Sequence, residues 1–332
     1  MLMKLLAKRL AISLLVLLLA GFAMPILALP GDGSDTLKMT TGRLEHDGIE
    51  RSYTLYVPHS YDAKTALPLL VLLHGGGGAG KRMIKFTGFD KIASQEGLIV
   101  VCPEGYERHW NDGRLEISHK AHEKNIDDVG FISQLIDQIG KEKNIDKSRI
   151  YVAGISNGAM MSFRLGLELS NKIAAIGTVV GCLPEPFSTK AVDARPMPAI
   201  IFNGTKDPLV PFEGGYVKFL RKTLGKVISA PETAAFWAKH NKCDDKAEEA
   251  LLTLNGNKSG CTVKEKIYKN CCNNADVEFY SIEGGGHTWH RDSLYAQYLP
   301  VMVIGKACRD IDTTELMWSF FKKHRLMNGA AQ

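Results

Sequence analysis

The feature that most constrains this chain is a strand that runs directly into a helix through a serine flanked by glycines. Arg149 to Ala153 is an apolar strand-like run, Gly154-Ile155-Ser156-Asn157-Gly158 follows at once, and the small and apolar residues from Asn157 to Leu169 read as a helix. Strand and helix can pass this closely only with glycine two positions either side of the turn residue. A serine held there has strained backbone angles and stands clear of the sheet, the setting of a nucleophile elbow. The pentapeptide alone is common, and an ordinary Gly/Ser-rich turn is the plain alternative; the flanking strand and helix give the pattern its weight.

The same alternation recurs along the chain. Arg51 to Val57 alternates as an outer strand, and Leu67 to Leu73 and Leu98 to Cys102 are buried strands with helical spacing between them from Phe86 to Glu96. Asp127 or Asp128 caps a helix through Lys143, and Ala174 to Val180 is the strand after the serine helix. Then come the strand Ala199 to Asn203, the helix Pro231 to His240, a cysteine-rich excursion, the strand Val277 to Ile282 and a closing helix Thr313 to His324. Alternating strands and helices imply a mostly parallel central sheet with helices on both faces, in one domain over residues 29–332.

The 332 residues, 45% hydrophobic and 23% charged, suffice for a sizeable core. Lys4, Lys8 and Arg9 precede an apolar run from Leu10 to Ala23, and Pro25 then breaks it before the small residue Ala28. This reads as a signal peptide over residues 1–28 and a secreted or periplasmic protein, rather than as an uncleaved anchor, and no cysteine nearby suggests lipidation. All seven cysteines lie beyond it, with Cys243, Cys261, Cys271 and Cys272 close together. In an exported chain that crowding predicts one or two disulfides within residues 243–272, such as Cys243 with Cys271 or Cys272, and the odd count leaves a thiol over. Paired Cys-x-x-Cys spacing is missing, which argues against zinc. The net charge is +5, spread without a basic run interleaved with aromatics, so nucleic acid is not an expected partner.

In a parallel sheet the loops at the carboxyl ends of strands gather at one edge, where distant residues can meet. Ser156, Asp207 and His287 all follow predicted strands, in the chain order expected of an α/β-hydrolase triad. A serine hydroxyl needs an imidazole to take its proton, and the imidazole needs a carboxylate to fix its tautomer. His287 is preferred over His290 because Gly284, Gly285 and Gly286 let its loop curl toward Ser156; His74, His109, His119 and His122 are scattered. Glu213 is the nearest rival to Asp207, which could instead serve as a turn residue before Pro208. The developing oxyanion requires backbone donors, expected from Asn157 and from Gly75 or Gly76 in the run His74 to Gly78. Gly75 to Lys81 also fits the start of a phosphate-binding loop, but Arg82 stands where Ser or Thr should hold magnesium. No cofactor or metal is called for.

Tyr151 to Met161, His74 to Gly78, Asp127 to Phe131, Asn203 to Asp207 and Gly284 to Trp289 together resemble the secreted polyhydroxybutyrate depolymerase and feruloyl esterase group of α/β-hydrolases. The resemblance implies a serine carboxylic-ester hydrolase with Ser156, Asp207 and His287 as triad and a bridge from Cys243 to the Cys271-Cys272 pair. It also suggests that Trp110 lies near the site, with a buried loop tryptophan as the equal alternative, and Trp289 is taken as a second substrate-binding residue. His290 and Cys102 depart from the group's pattern, and the missing polymer-binding module favours soluble hydroxyalkanoate oligomers or feruloyl and acyl esters over solid polyester. A serine peptidase and a non-catalytic polymer or carbohydrate binder on the same scaffold are the competing readings.

Overall fold

The computed structural model describes residues 37–189, 193–252, 259–293 and 300–326, so the signal-peptide segment lies outside the described residues. Strands β1 (Leu37–His46) and β2 (Ile49–Pro58) form a hairpin, β3 (Leu67–Leu73) follows, and helices α1 (Gly80–Thr87) and α2 (Phe89–Glu96) lead to β4 (Ile99–Pro103). Next come α3 (Lys120–Glu123), α4 (Asp128–Glu142), β5 (Ile145–Ile155), α5 (Asn157–Glu168), β6 (Ala175–Val179), α6 (Glu185–Thr189) and β7 (Ala199–Gly204). A hairpin of β8 (Gly215–Phe219) and β9 (Lys222–Val227) precedes α7 (Ala230–His240), β10 (Glu248–Leu251), β11 (Thr262–Tyr268) and β12 (Val277–Glu283). Short α8 (Val301–Ile304) and α9 (Thr313–Phe321) close the fold.

The main sheet has ten strands in the order β1-β2-β4-β3-β5-β6-β7-β12-β11-β10. From β4 to β12 every pairing is parallel, while β1, β2, β11 and β10 add antiparallel margins. Parallel strands must be covered on both faces, and successive residues of β3 show it. Leu69, Val71 and Leu73 enter one core with α4, α5 and α7; Leu70 and Leu72 enter another with α1, α2 and α9. Each of these wholly buried leucines stabilises the fold by about 1.5–3 kcal/mol relative to exposure. This is the α/β-hydrolase architecture expected from the alternation of elements.

The structure corrects the sequence reading in three places. The helical stretch from Phe86 to Glu96 is split at Gly88, whose φ of 84° ends α1 and starts α2. The cysteine-rich excursion is not outside the sheet, because β10 and β11 extend its edge. The Cys243–Cys271 bridge forms as the resemblance implied, but the second bridge, Cys261–Cys308, reaches beyond residues 243–272 to the segment after α8. Cys102 and Cys182 are buried thiols and Cys272 is an exposed one. Among the described residues no helix is long and apolar enough to cross a membrane.

Candidate active site

Ser156 sits between β5 and α5 with φ 57° and ψ −120°. A non-glycine residue with such angles stores about 1–3 kcal/mol of strain, which the surrounding packing must offset. Its N–H donates to Val179 O at 2.9 Å and its carbonyl accepts from Met160 N at 2.9 Å, so the turn is fixed from both sides. The glycines are required as the sequence suggested. A Cβ on Gly154 would strike the backbone of Gly158, and one on Gly158 would lie 2.5 Å from the carbonyls of Leu73 and His74.

Asp207 follows β7 and His287 follows β12, neighbouring strands of the sheet. His287 Nδ1 lies 2.7 Å from Asp207 Oδ2, with the two side chains 3% and 2% exposed. Asp207 Oδ1 accepts from Leu209 N at 2.8 Å and Val210 N at 2.9 Å, so one carboxylate both shapes its turn and orients the imidazole. An ionised carboxylate only accepts, which assigns the proton to Nδ1 and leaves Nε2 as the basic nitrogen. Ser156 Oγ makes no hydrogen bond among the described residues. Such bonds are often long in ligand-free sites and tighten when substrate enters.

The loop before His287 uses glycine differently from the expected curl. Gly284 has φ 72°, and Gly286 lies against Ile304 and Gly305, where a Cβ would collide with their backbone. Gly286 N donates to Lys306 O at 2.8 Å and His287 N donates to Ile304 O, so the segment around α8 backs the imidazole. His290 is no rival base. It is wholly buried, with Nδ1 accepting from Cys308 N at 3.1 Å, and burial lowers its pKa to about 3. Glu213 is exposed to solvent.

The oxyanion loop is organised by His74, which is wholly buried. His74 Nε2 accepts from Gly105 N at 2.9 Å, so Nδ1 carries the proton and donates to Gly75 O at 2.8 Å. Burial lowers the His74 pKa, in keeping with a neutral ring. Gly77 N and Gly78 N are committed to Arg108 O and Gly75 O at 2.9 and 2.8 Å. The N–H groups of Gly75 and Gly76 have no acceptor among the described residues, and a Cβ on Gly75 would lie 3.4 Å from Ser156 Cβ. The N–H of Asn157, at the first position of α5, is likewise beyond any intrahelical acceptor.

Both tryptophans lie in the core. Trp110 is fully buried and donates from Nε1 to His74 O at 2.8 Å. Trp289 is also fully buried, bonding Thr314 Oγ1 at 2.9 Å and packing edge-on against Phe86 and Phe89. Tryptophan composition alone does not tell a rim residue from a core one, and here both are core.

The sequence reading missed a buried polar layer beneath the elbow. Asp112 is wholly buried and takes Arg114 Nη2 at 2.8 Å, His122 Nε2 at 3.1 Å and Asn157 Nδ2 at 2.7 Å. Burial pushes its carboxyl up, but the Arg114 guanidinium and His122 bring it well below the usual range. Beside it Asp128 takes Arg51 Nη2 at 2.6 Å and Asn111 N at 2.7 Å, and there burial prevails and raises the carboxyl. The run Trp110-Asn111-Asp112 was the available signal, a polar loop whose residue types suit hydrogen bonding more than solvent display.

Among the described residues two side-chain groups have metal-like composition. In Cys261, Cys308 and Asp310 the sulfurs are joined to each other. In His46, Asp47 and Asp127, His46 Nδ1 faces Gln134 Oε1 at 2.8 Å and Nε2 faces Asp127 Oδ2 at 3.0 Å. Gln134 is oriented by its own donation to Glu45 O, so both His46 nitrogens meet acceptors and the ring is engaged as an imidazolium.

Comparison with known proteins bears on the fold and the family. The family model described as Phospholipase/Carboxylesterase matches residues 60–254, more than half of the chain, and this stretch holds Ser156 and Asp207 but not His287. NocK of Nocardia uniformis subsp. tsuyamanensis, which carries the name of an esterase, is 27% identical over 284 residues, 82% of this chain and 79% of that protein. Feruloyl esterase B of Piromyces equi is 29% identical over 243 residues, 71% of this chain and 42% of that protein, so the chain spans less than half of it. Among solved structures, an acetyl xylan esterase from Aspergillus awamori superposes with a TM-score of 0.53 at 16% identity, over 75% of this chain and 94% of that one; at that identity the likeness concerns the fold alone. Fold, matched family and relatives converge: the chain belongs to the Phospholipase/Carboxylesterase family and is a carboxylic-ester hydrolase on an α/β-hydrolase fold.

Proposed function

We propose that the protein is an exported serine esterase in which Ser156 attacks the ester carbonyl, His287 transfers the proton and Asp207 holds His287. The observation that carries this reading is the buried 2.7 Å contact between His287 Nδ1 and Asp207 Oδ2, on the same sheet edge as a serine with φ 57°. His287 Nε2 takes the Ser156 proton as the carbonyl carbon is attacked and returns it to the leaving alcohol, which gives an acyl-enzyme; water, activated by the same nitrogen, then releases the acid. The N–H groups of Asn157 and of Gly75 or Gly76 meet the oxyanion in both steps.

Feruloyl esters of the kind named in the relatives are the favoured substrates, with other acyl esters and hydroxyalkanoate oligomers next. Export is supported by the leader-like segment and by two disulfides, which persist outside reducing compartments. Turnover of methyl ferulate, acetylated xylan and hydroxybutyrate oligomers, compared at equal enzyme, tests the substrate assignment. Preference for the oligomers would reverse that order, and faster cleavage of peptide amides would overturn the esterase reading.

A further inference from the structure

We propose that Trp110 and Asp112 are positioning residues that set the spacing between the two arms of the oxyanion site. The inference rests on the reading of Asn157, Gly75 and Gly76 as the oxyanion donors. One arm is the start of α5, where Asn157 offers its backbone N–H; the other is the loop after β3, where Gly75 and Gly76 offer theirs. Between them runs the short segment Trp110 to Asp112, and it is bonded to both.

On the helix side the Asn157 side chain is fully engaged by this segment. Its Oδ1 accepts from Trp110 N at 2.9 Å, and its Nδ2 donates to Trp110 O at 3.0 Å and to Asp112 Oδ2 at 2.7 Å. Such a set leaves the residue one orientation. On the loop side Trp110 Nε1 donates to His74 O at 2.8 Å, and its ring lies 5.0 Å from the His74 ring, while His74 in turn holds Gly75 O at 2.8 Å. One residue therefore spans the two arms: the Trp110 backbone holds the helix that follows the serine, and its indole holds the loop that faces it.

Asp112 makes the brace stiff. A wholly buried carboxylate is costly unless its oxygens are matched by donors, and here Arg114, His122 and Asn157 supply them. Arg114 also donates from Nη1 to Leu224 O at 2.5 Å, tying the brace to the β8–β9 hairpin that emerges from the Asp207 loop. The carboxylate thus joins the nucleophile helix, through Arg114, to the β8–β9 hairpin, while Trp110 joins that helix to the oxyanion loop. Oxyanion donors act only when held within hydrogen-bond distance of the forming anion, so a displacement of a fraction of an ångström at either arm weakens the transition state more than the bound ester.

The test compares wild type with Trp110→Phe, which removes the indole N–H together with part of the ring's volume, and Asp112→Asn. The measurements are p-nitrophenyl butyrate kinetics, thermal melting and the affinity of an alkylboronic acid, whose tetrahedral serine adduct mimics the oxyanion. Expected is a kcat lower by about 10-fold in Trp110→Phe and about 100-fold in Asp112→Asn, with KM changed by less than about two-fold and boronate affinity falling in step with kcat. Wild-type kcat in a variant with a lowered melting temperature, or kcat and boronate affinity moving independently, would overturn the brace and leave the triad standing. If Asp112→Asn does not fold, Trp110→Phe decides alone. Ser156→Ala, run beside them, separates the two readings: undiminished hydrolysis there removes the triad and the brace together.

Discussion

The Nδ1–H of His287 points at Asp207 Oδ2 from 2.7 Å, while the other oxygen of Asp207 is held by the backbone N–H groups of Leu209 and Val210 at 2.8 and 2.9 Å. The carboxylate cannot swing away from the imidazole without losing its own turn. An asparagine in its place keeps the shape but either presents an amide donor to Nδ1 or disrupts the turn. Asp207→Asn is expected to lower kcat by about 10^3–10^4-fold with the fold retained, read from ester hydrolysis beside circular dichroism. A loss of less than about ten-fold would remove Asp207 from the orienting role.

Gly158 is fixed by the carbonyls of Leu73 and His74, each 2.5 Å from where its Cβ would stand. Backbone atoms of a central strand cannot yield as a flexible side chain can. Gly158→Ala is therefore expected to destabilise the protein by at least about 1–3 kcal/mol, measured by urea unfolding. A neutral substitution would mean that the strand–helix approach is looser than described.

Three cysteines are outside the two disulfides, and they differ in access. Cys102 and Cys182 are wholly buried, and burial raises both thiols, whereas Cys272 is exposed. Titration with a thiol reagent under non-reducing conditions is expected to find one rapidly reacting group in the native protein and three after denaturation. Five or seven in the denatured protein would show that a bridge is missing.

His46 and Asp127 join β1 to the start of α4, and their titration gives the pair a defined pH window. Burial lowers the His46 pKa, but hydrogen bonds to Asp127 and Gln134 outweigh it and raise the group above its ordinary 6.5. Burial raises Asp127, and the Gly130 N–H and His46 together bring it below its ordinary 3.8. By linkage the raised histidine contributes fully below its unfolded pKa and loses that contribution as pH rises through the folded value; the lowered carboxylate contributes above its unfolded pKa and loses it on acidification. The pair is thus strongest between the two ordinary values. The melting-temperature gap between wild type and His46→Gln should narrow as pH is raised from about 6 to about 9, and a gap that widened would contradict the imidazolium assignment.

The central parallel strands were legible in the sequence because they are covered on both faces and so are continuously apolar: β3 spans the predicted Leu67–Leu73. The elbow was legible because strand, two glycines and helix all constrain the same turn. Strands at the margin of the sheet were not. β11, paired with β12 and β10, reads Thr262-Val-Lys-Glu-Lys-Ile-Tyr268, and its three successive charged residues make the pattern too polar to register as sheet. The partner of Cys261 was hidden because pairing depends on where the segment after α8 folds back, a long-range fact carried by Gly286 against Gly305 and not by cysteine spacing. The two tryptophans were expected near the substrate, while their burial depends on what packs over them, His74 for Trp110 and Phe86 and Phe89 for Trp289.

The most direct test of the central claim is the rate of p-nitrophenyl butyrate hydrolysis by purified Ser156→Ala, with folding checked by circular dichroism and wild-type Ser156 checked for adduct formation with a fluorophosphonate by peptide mass. The expected result is a fall of at least about 10^4-fold in kcat with an unchanged spectrum, and a single labelled peptide containing Ser156. A folded Ser156→Ala protein that keeps more than a few per cent of wild-type activity, or a label on another residue, would contradict it.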